Sequence, residues 1–247
     1  AKGIQSVKVI DSKPIGANVR STVATYDGVF DDLRKLFART ADAKAKGLTA
    51  GDFSYNTGKL RCPVCDGTGI ITMDVQFLPD VDTICPSCGG SRYGKDAYDI
   101  LWKSKEKDSV SVSLPGLLKL TVEEAAGILH EETKIAKQLK ILQDLGVCYL
   151  MLGEATPALS GGEAQRLKLA YEMETPQQGS VFVFDEPTIG LHPQDVKKLV
   201  LIFDHLIQLG ATVIVIEHDL ELVTNCDYII DMGPWGGTEG GRGVVEG

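Results

Sequence analysis

The sequence predicts an α/β fold with a mainly parallel sheet, interrupted by a helical insertion that carries a four-cysteine metal module. Three observations predict it. Val181 to Phe184 and Thr212 to Ile216 are unbroken apolar runs of strand length, and the pattern between them is helical. A strand, helix, strand succession leaves neighbouring strands parallel. Two Cys-x-x-Cys pairs, Cys62/Cys65 and Cys85/Cys88, stand well before this succession.

The elements follow in order from breakers and periodicity. Val7 to Ile10 reads as a strand, followed by a proline and glycine loop and an amphipathic helix near Val29 to Ala38. Gly47 to Gly58 reads as a glycine-punctuated linker into the metal module. Thr121 with Glu124 forms a capping box for a short helix. Ile135, Leu139, Leu142 and Leu145 mark a second helix, which Gly146 stops. A helix begins within Leu159 to Ala170 (LSGGEAQRLKLA), and another spans Pro193 to Leu209 with Val196, Leu199, Val200, Phe203, Leu206 and Ile207 inward. Both late strands read as buried. Cys148 and Cys226, in apolar surroundings, read as small core residues.

At 247 residues, with 43% hydrophobic and 24% charged, the chain can bury one large core or two smaller ones, which excludes a disordered protein. The net charge of −9 excludes uniform coating by nucleic acid, but its distribution is uneven. Residues 1–41 carry net +3, 42–104 net −1 and 105–247 net −11, so DNA contacts are expected from the first hundred residues. The candidates are Arg34, Lys35, Arg39, Lys44, Lys46, Lys59, Arg61 and Arg92, each of which could equally be an ordinary solvated charge. No apolar run approaches the roughly 20 residues of a membrane span and no targeting segment is visible, so a cytoplasmic, reducing compartment without a membrane partner is expected.

Chemistry concentrates at three places. Ser160, Gly161 and Gly162 stand where a loop opens a helix, so a hydroxyl and free N–H groups can approach a γ-phosphate, assisted by the helix dipole. Val181 to Phe184 delivers Asp185 to the C-terminal end of its strand, where open α/β sheets place ligands; Asp185 can hold Mg²⁺ and Glu186 can activate an attacking water. Thr212 to Ile216 ends in Glu217 and His218, which puts an imidazole at the same sheet edge as a γ-phosphate sensor. Taken singly, a Ser-Gly-Gly is a turn and an Asp-Glu pair a solvated strand end. In this order they make an ABC-type ATPase site that takes ATP and Mg²⁺.

No G-x-x-x-x-G-K-[ST] phosphate loop occurs: the Gly-Lys pairs, Gly58-Lys59 and Gly94-Lys95, continue with Leu60 and Asp96. The chain is therefore expected to be a piece of a longer polypeptide and to be inactive as an ATPase by itself. The third place is the cysteine set. Cys62, Cys65, Cys85 and Cys88, with nineteen residues between the pairs and a glycine close behind each, fit a tetrahedral structural Zn²⁺ site. Two disulfides or redox pairs are the alternative.

Together these segments resemble the UvrA family, the damage-recognition ATPases of bacterial nucleotide excision repair with their antibiotic-resistance relatives. The resemblance runs through Val9 to Ala38, Phe77 to Val81, Ser91 to Gly94, Leu120 to Ala125, Leu159 to Ala170, Asp185 to His192 and Ile216 to Pro234. It implies a second, C-terminal nucleotide-binding half. Residues 1–41 would form the first part of the ATPase core after the missing P-loop. Residues 42–157 would form an inserted domain with the zinc module at about 57–98, and residues 158–247 would return to the core. It also implies that Ser160, Gly161, Gly162, Glu163 and Gln165 close over ATP held by the N-terminal nucleotide-binding half, while Asp185, Glu186 and His218 serve ATP on this half. The implied partners are damaged or drug-modified double-stranded DNA, a second full-length copy and a UvrB-type helicase subunit. Two departures stand out: Ser12 replaces the usual glutamine, and Ala17 to Ser21 has lost an arginine. These keep open a self-resistance protein acting on drug-intercalated DNA beside the repair ATPase; an ABC transporter ATPase is a remote third, since it gives no reason for the zinc module.

Overall fold

The computed structural model describes residues 3–16, 18–73, 81–105, 110–173, 177–233 and 241–247. The chain forms two compact units: Ala1–Asp11 together with Pro176–Gly247, and Ser12–Thr175.

The first unit is built on three parallel strands in the order β1 (Ser6–Ile10), β6 (Ser180–Asp185), β7 (Thr212–Ile216). Val9 lies opposite Val183, and Val183 opposite Ile214, so the residues of one face are fixed across all three strands. The other face carries Phe182 and Phe184 and is covered by α8 (Pro193–Gln208), whose Phe203 ring lies 4.6 Å from that of Phe184. Val196, Leu199, Ile202, Phe203 and Leu206 of α8 are buried. The inward stripe therefore includes Ile202 and not Ile207, which is 43% exposed, because 199, 202/203 and 206 follow the helical period more closely. Within the unit β6 is buried, as expected. β7 is not: it is an edge strand with exposed Ile214 and Ile216, matched by exposed Val7 and Val9 on the other edge. A short helix α9 (Leu220–Val223) follows, capped by Asp219, whose Oδ1 accepts from the N–H groups of Glu221 and Leu222. Further on, β8 (Ile230–Gly233) and β9 (Arg242–Glu246) pair antiparallel.

The second unit holds the helices and the cysteines. Thr22 and Thr25 form a capping box that starts α1 (Val23–Asp27), and Gly28 turns the chain into α2 (Val29–Ala38). α2 buries Val29, Phe30, Leu33 and Phe37, with the Phe30 ring 4.9 Å from Tyr55 and Phe37 6.1 Å from Phe53. Within the expected linker of residues 47–58, residues 52–55 and Gly58 prove to be buried. Phe53 and Tyr55 are fully buried, Tyr55 donates to the Arg20 carbonyl at 3.0 Å, and Tyr93 donates to the Phe53 carbonyl at 2.6 Å. Glycines chosen for close backbone approach look, in sequence, like glycines chosen for flexibility. α3 (Ala41–Ala45) leads into this segment. The hairpin β2 (Ile70–Met73) and β3 (Val81–Ile84) joins the two cysteine pairs; residues 77–80 of the motif Phe77 to Val81 lie outside the described residues. A second hairpin, β4 (Leu101–Lys103) with β5 (Ser111–Ser113), runs into α4 (Leu114–Leu117).

The capping box of Thr121 and Glu124 opens α5 (Val122–Ile128). α6 (Thr133–Asp144) buries Ile135, Leu139 and Leu142, and Gly146 follows in a left-handed turn. Finally α7 (Gly161–Glu172) packs with α1 and α6. Within the second unit α2 also packs on α6. Cys148 is only half-buried and Cys226 is exposed, so neither is the core residue expected.

Candidate nucleotide and metal sites

In the first unit, pairing of Asp185 with Ile216 brings the ends of β6 and β7 level. The Glu186 N–H donates to the Ile216 carbonyl at 2.9 Å, after which the chain turns sharply, with Glu186 at φ 46°. Such a conformation in a residue other than glycine persists only where its surroundings hold it. Asp185 and Glu186 are both exposed at this end. His218, with its side chain 81% exposed, points Nδ1 to within 3.7 Å of Glu186 Oε1 and 3.4 Å of Glu217 Oε2. The structure thus brings together Glu186 and His218, and adds two residues that sequence reasoning did not assign, Thr188 and Glu217. The Thr188 N–H donates to Glu217 Oε1 at 3.0 Å and its hydroxyl makes a shorter bond to the same oxygen. Twenty-nine residues separate the two, so no local pattern could have linked them.

In the second unit, Ser160 is the N-cap of α7. Its hydroxyl accepts from the Glu163 N–H, while Glu163 Oε2 accepts from the Ser160 N–H at 2.7 Å. The Tyr149 hydroxyl donates to Glu163 Oε1 at 2.8 Å, a tether that the sequence did not advertise. Burial works against ionisation of Glu163, but the Ser160 N–H and the Tyr149 hydroxyl outweigh it and hold the carboxyl below its ordinary pKa. Glu163 is therefore occupied as a capping group. Gly161 has a packing reason beside the expected phosphate-facing one: a Cβ there would lie 2.9 Å from the Ser12 carbonyl. Gln165 does not stand with Ser160. At 3% exposure it lies on the inward face of α7 with Leu169, one turn on.

The four cysteines converge. All are free thiols, and their Sγ atoms lie within 4.8 Å of one another, with Cys62 to Cys85 at 4.0 Å and Cys65 to Cys88 at 3.7 Å. Zinc–thiolate bonds of about 2.3 Å make a tetrahedron with edges of about 3.8 Å, so the set fits such an ion. Disulfides would need the sulfurs at about 2 Å. Burial raises the pKa of Cys62, but the Cys65 and Val64 N–H groups outweigh it and bring the value down to about 7; burial and the neighbouring sulfurs push Cys88 up to about 12. A further N–H points at sulfur from Gly69, 3.3 Å from Cys65 Sγ.

Most of the basic candidates are engaged. Arg34 pairs with Asp31, Lys35 with Asp32, Lys46 with Asp99, Lys59 with Asp52 and Arg61 with Asp66, all near the surface. No ion pair is found for Arg39 or Lys44 among the described residues. Arg92 is 6% exposed, donates to the Thr68 carbonyl at 2.9 Å and lies over the Tyr55 ring, so it braces the cysteine module from inside.

No family model matches the chain. The sequence is 44% identical over 239 residues to UvrABC system protein A of Staphylococcus aureus, covering 96% of this chain and 24% of that protein. It is 43% identical over 247 residues to UvrABC system protein A of Aquifex aeolicus, covering 100% and 26%. The crystal structure of UvrA2 from Deinococcus radiodurans superposes with a TM-score of 0.87 at 41% identity, over 99% of this chain and 29% of that one. The chain belongs to the UvrA family. Its fold is accordingly an ABC-type core with a parallel sheet, interrupted by a cysteine-bearing insertion. The chain spans about a quarter of the length of the curated UvrA relatives it matches. Among the described residues no helix is long and apolar enough to cross a membrane.

Proposed function

We propose that this chain is a nucleotide-binding part of a UvrA-type ABC ATPase, which couples ATP binding and hydrolysis to recognition of damaged double-stranded DNA in nucleotide excision repair. The observation that carries the reading is the end of the parallel sheet, where Asp185 and Glu186 leave β6 and His218 stands 3.7 Å from the Glu186 carboxylate. Asp185 is assigned to hold Mg²⁺, which supplies neutralisation of phosphate charge. Glu186 takes the proton of the attacking water, and His218 donates to the γ-phosphate. The Ser160 hydroxyl and the N–H groups of Gly161 and Gly162 face nucleotide on the N-terminal nucleotide-binding half. The phosphate loop comes from elsewhere in a longer polypeptide, so the chain alone hydrolyses no ATP. Cys62, Cys65, Cys85 and Cys88 hold a structural Zn²⁺ that fixes the insertion. The remaining partners follow from the family: DNA approached through Arg39, Lys44 and the surface-paired basic residues, a second full-length copy and a UvrB-type helicase subunit, all in the cytoplasm. The relatives found by sequence carry the repair-system name, which favours repair over self-resistance.

The test is ATP hydrolysis by the full-length polypeptide with undamaged and damaged duplex DNA, beside this chain by itself. Mg²⁺-dependent turnover that responds to damage, with a silent isolated chain, is expected. Turnover indifferent to DNA, or hydrolysis by the isolated chain, would contradict the proposal.

A further inference from the structure

We propose that Glu217 is a positioning residue for the ATPase chemistry: its carboxylate ties the turn after Glu186 to the loop that carries His218, and so fixes the two groups against each other. This rests on the ATPase reading above.

Beyond the paired ends of β6 and β7, the two loops no longer share a strand ladder. Glu217 bridges them. Its side chain is 1% exposed and is met by four donors. Oε1 accepts from the Thr188 N–H and hydroxyl on the β6 side; Oε2 accepts from the N–H groups of His218, at 2.7 Å, and Asp219, at 3.3 Å, on the β7 side. Four donors converging from two directions need a group that only accepts and has two oxygens, which among side chains is a carboxylate. A glutamine of the same size would turn an NH₂ towards one pair of donors and leave them unpaired.

The geometry also explains why the tie is needed. Glu186 sits in a left-handed conformation, and the bond from the Ile189 N–H to its carbonyl, at 3.3 Å, closes the turn only loosely. Thr188, anchored twice on Glu217, holds the middle of that turn. On the other side Asp219 is fixed at both ends, by its own N–H to Glu217 and by its carboxylate capping α9. His218 therefore leaves a backbone clamped on either side, while its ring stays in the open beside Glu186.

The experiment compares wild type, Glu217→Gln and Thr188→Val in the full-length polypeptide, reading steady-state Mg-ATP hydrolysis and site-resolved amide hydrogen exchange. In Glu217→Gln, exchange at the Thr188, His218 and Asp219 amides should quicken about tenfold or more, the loss of a charge-assisted hydrogen bond, while β6 amides keep their rates. The kcat should fall by about 10- to 100-fold, as for sub-ångström misplacement of reacting groups, with KM for ATP within about twofold of wild type. Thr188→Val, which keeps the N–H and loses the hydroxyl, should move both readouts the same way by less. Wild-type kcat and loop exchange in Glu217→Gln would overturn the inference. So would faster exchange throughout β6 and β7 with a raised KM, if Thr188→Val were at the same time indistinguishable from wild type, because Glu217 would then be a general fold residue. An inactive wild-type protein would instead sink the ATPase reading, and the exchange rates would still decide whether Glu217 ties the loops.

Discussion

Replacing Cys85 by serine removes one corner of the sulfur tetrahedron, and the structure sets how much depends on it. Two edges of the sulfur set, Cys62 to Cys85 and Cys65 to Cys88, are 4.0 and 3.7 Å, close to the sulfur–sulfur edge of a zinc tetrahedron, and Cys62 and Cys85 are completely buried. Structural zinc contributes about 10–16 kcal/mol of binding free energy in small modules. That is as large as the whole stability of an ordinary domain, about 5–15 kcal/mol. Among the described residues Ile71 is the partly buried apolar neighbour of the sulfurs, so a bound ion would be the main source of order there. Freshly reduced protein should contain about one zinc per chain by elemental analysis. Cys85→Ser or Cys62→Ser should release it and unfold the β2–β3 region in amide exchange, whereas Cys148→Ser and Cys226→Ser should retain it. Zinc-free reduced protein, or a chelator that strips the metal without changing exchange in residues 60–94, would refute the reasoning.

Three further outcomes follow from packing and charge. Ser160→Ala should cost about 1 kcal/mol in urea unfolding of the second unit, the usual worth of an N-cap, and Ser160→Asp should recover most of it. On α8, Ile202→Ala should cost about 2–4 kcal/mol and Ile207→Ala under about 1, since only the first is buried; equal costs would put the inward stripe elsewhere. Burial raises the Glu217 pKa, but the Thr188 hydroxyl and the three N–H bonds outweigh it and hold it below the ordinary 4.5. A depressed carboxylate stabilises the fold fully above the unfolded value and loses that contribution as pH falls through the lower folded value, so wild type should lose stability below about pH 4.5 more steeply than Glu217→Gln.

The parts legible in the sequence were those governed by neighbours along the chain. α2, the capping box at Thr121, the end of α6 at Gly146 and the strand that carries Asp185 all depend on spacing within a turn or two, and all stand where the pattern put them. The cysteine set was readable because metal ligation demands two short pairs. Less legible was whatever depends on contacts across the fold. Tyr55 and Phe53 are core because α2 and Tyr93 reach them from distant segments, and nothing in a glycine-rich stretch reveals that. Strand exposure likewise depends on what lies on the sheet: β7 is as apolar as β6 but lies at the edge. At the nucleotide end, Asp185, Glu186 and His218 were visible as chemistry, while Thr188 and Glu217 were hidden as ordinary polar residues until the two loops met.

The most direct test of the ATPase assignment separates binding from turnover at Glu186 in the full-length polypeptide. Glu186→Gln keeps the side-chain volume and removes the base, so ATP should still bind while hydrolysis falls by roughly 10²- to 10⁴-fold, the usual contribution of general base catalysis. Asp185→Asn, which removes charge from the metal side, should weaken Mg-ATP binding together with hydrolysis. Equal loss of affinity and turnover in both variants would contradict the account, because Glu186 would then be a metal or fold residue and not the base at the end of β6.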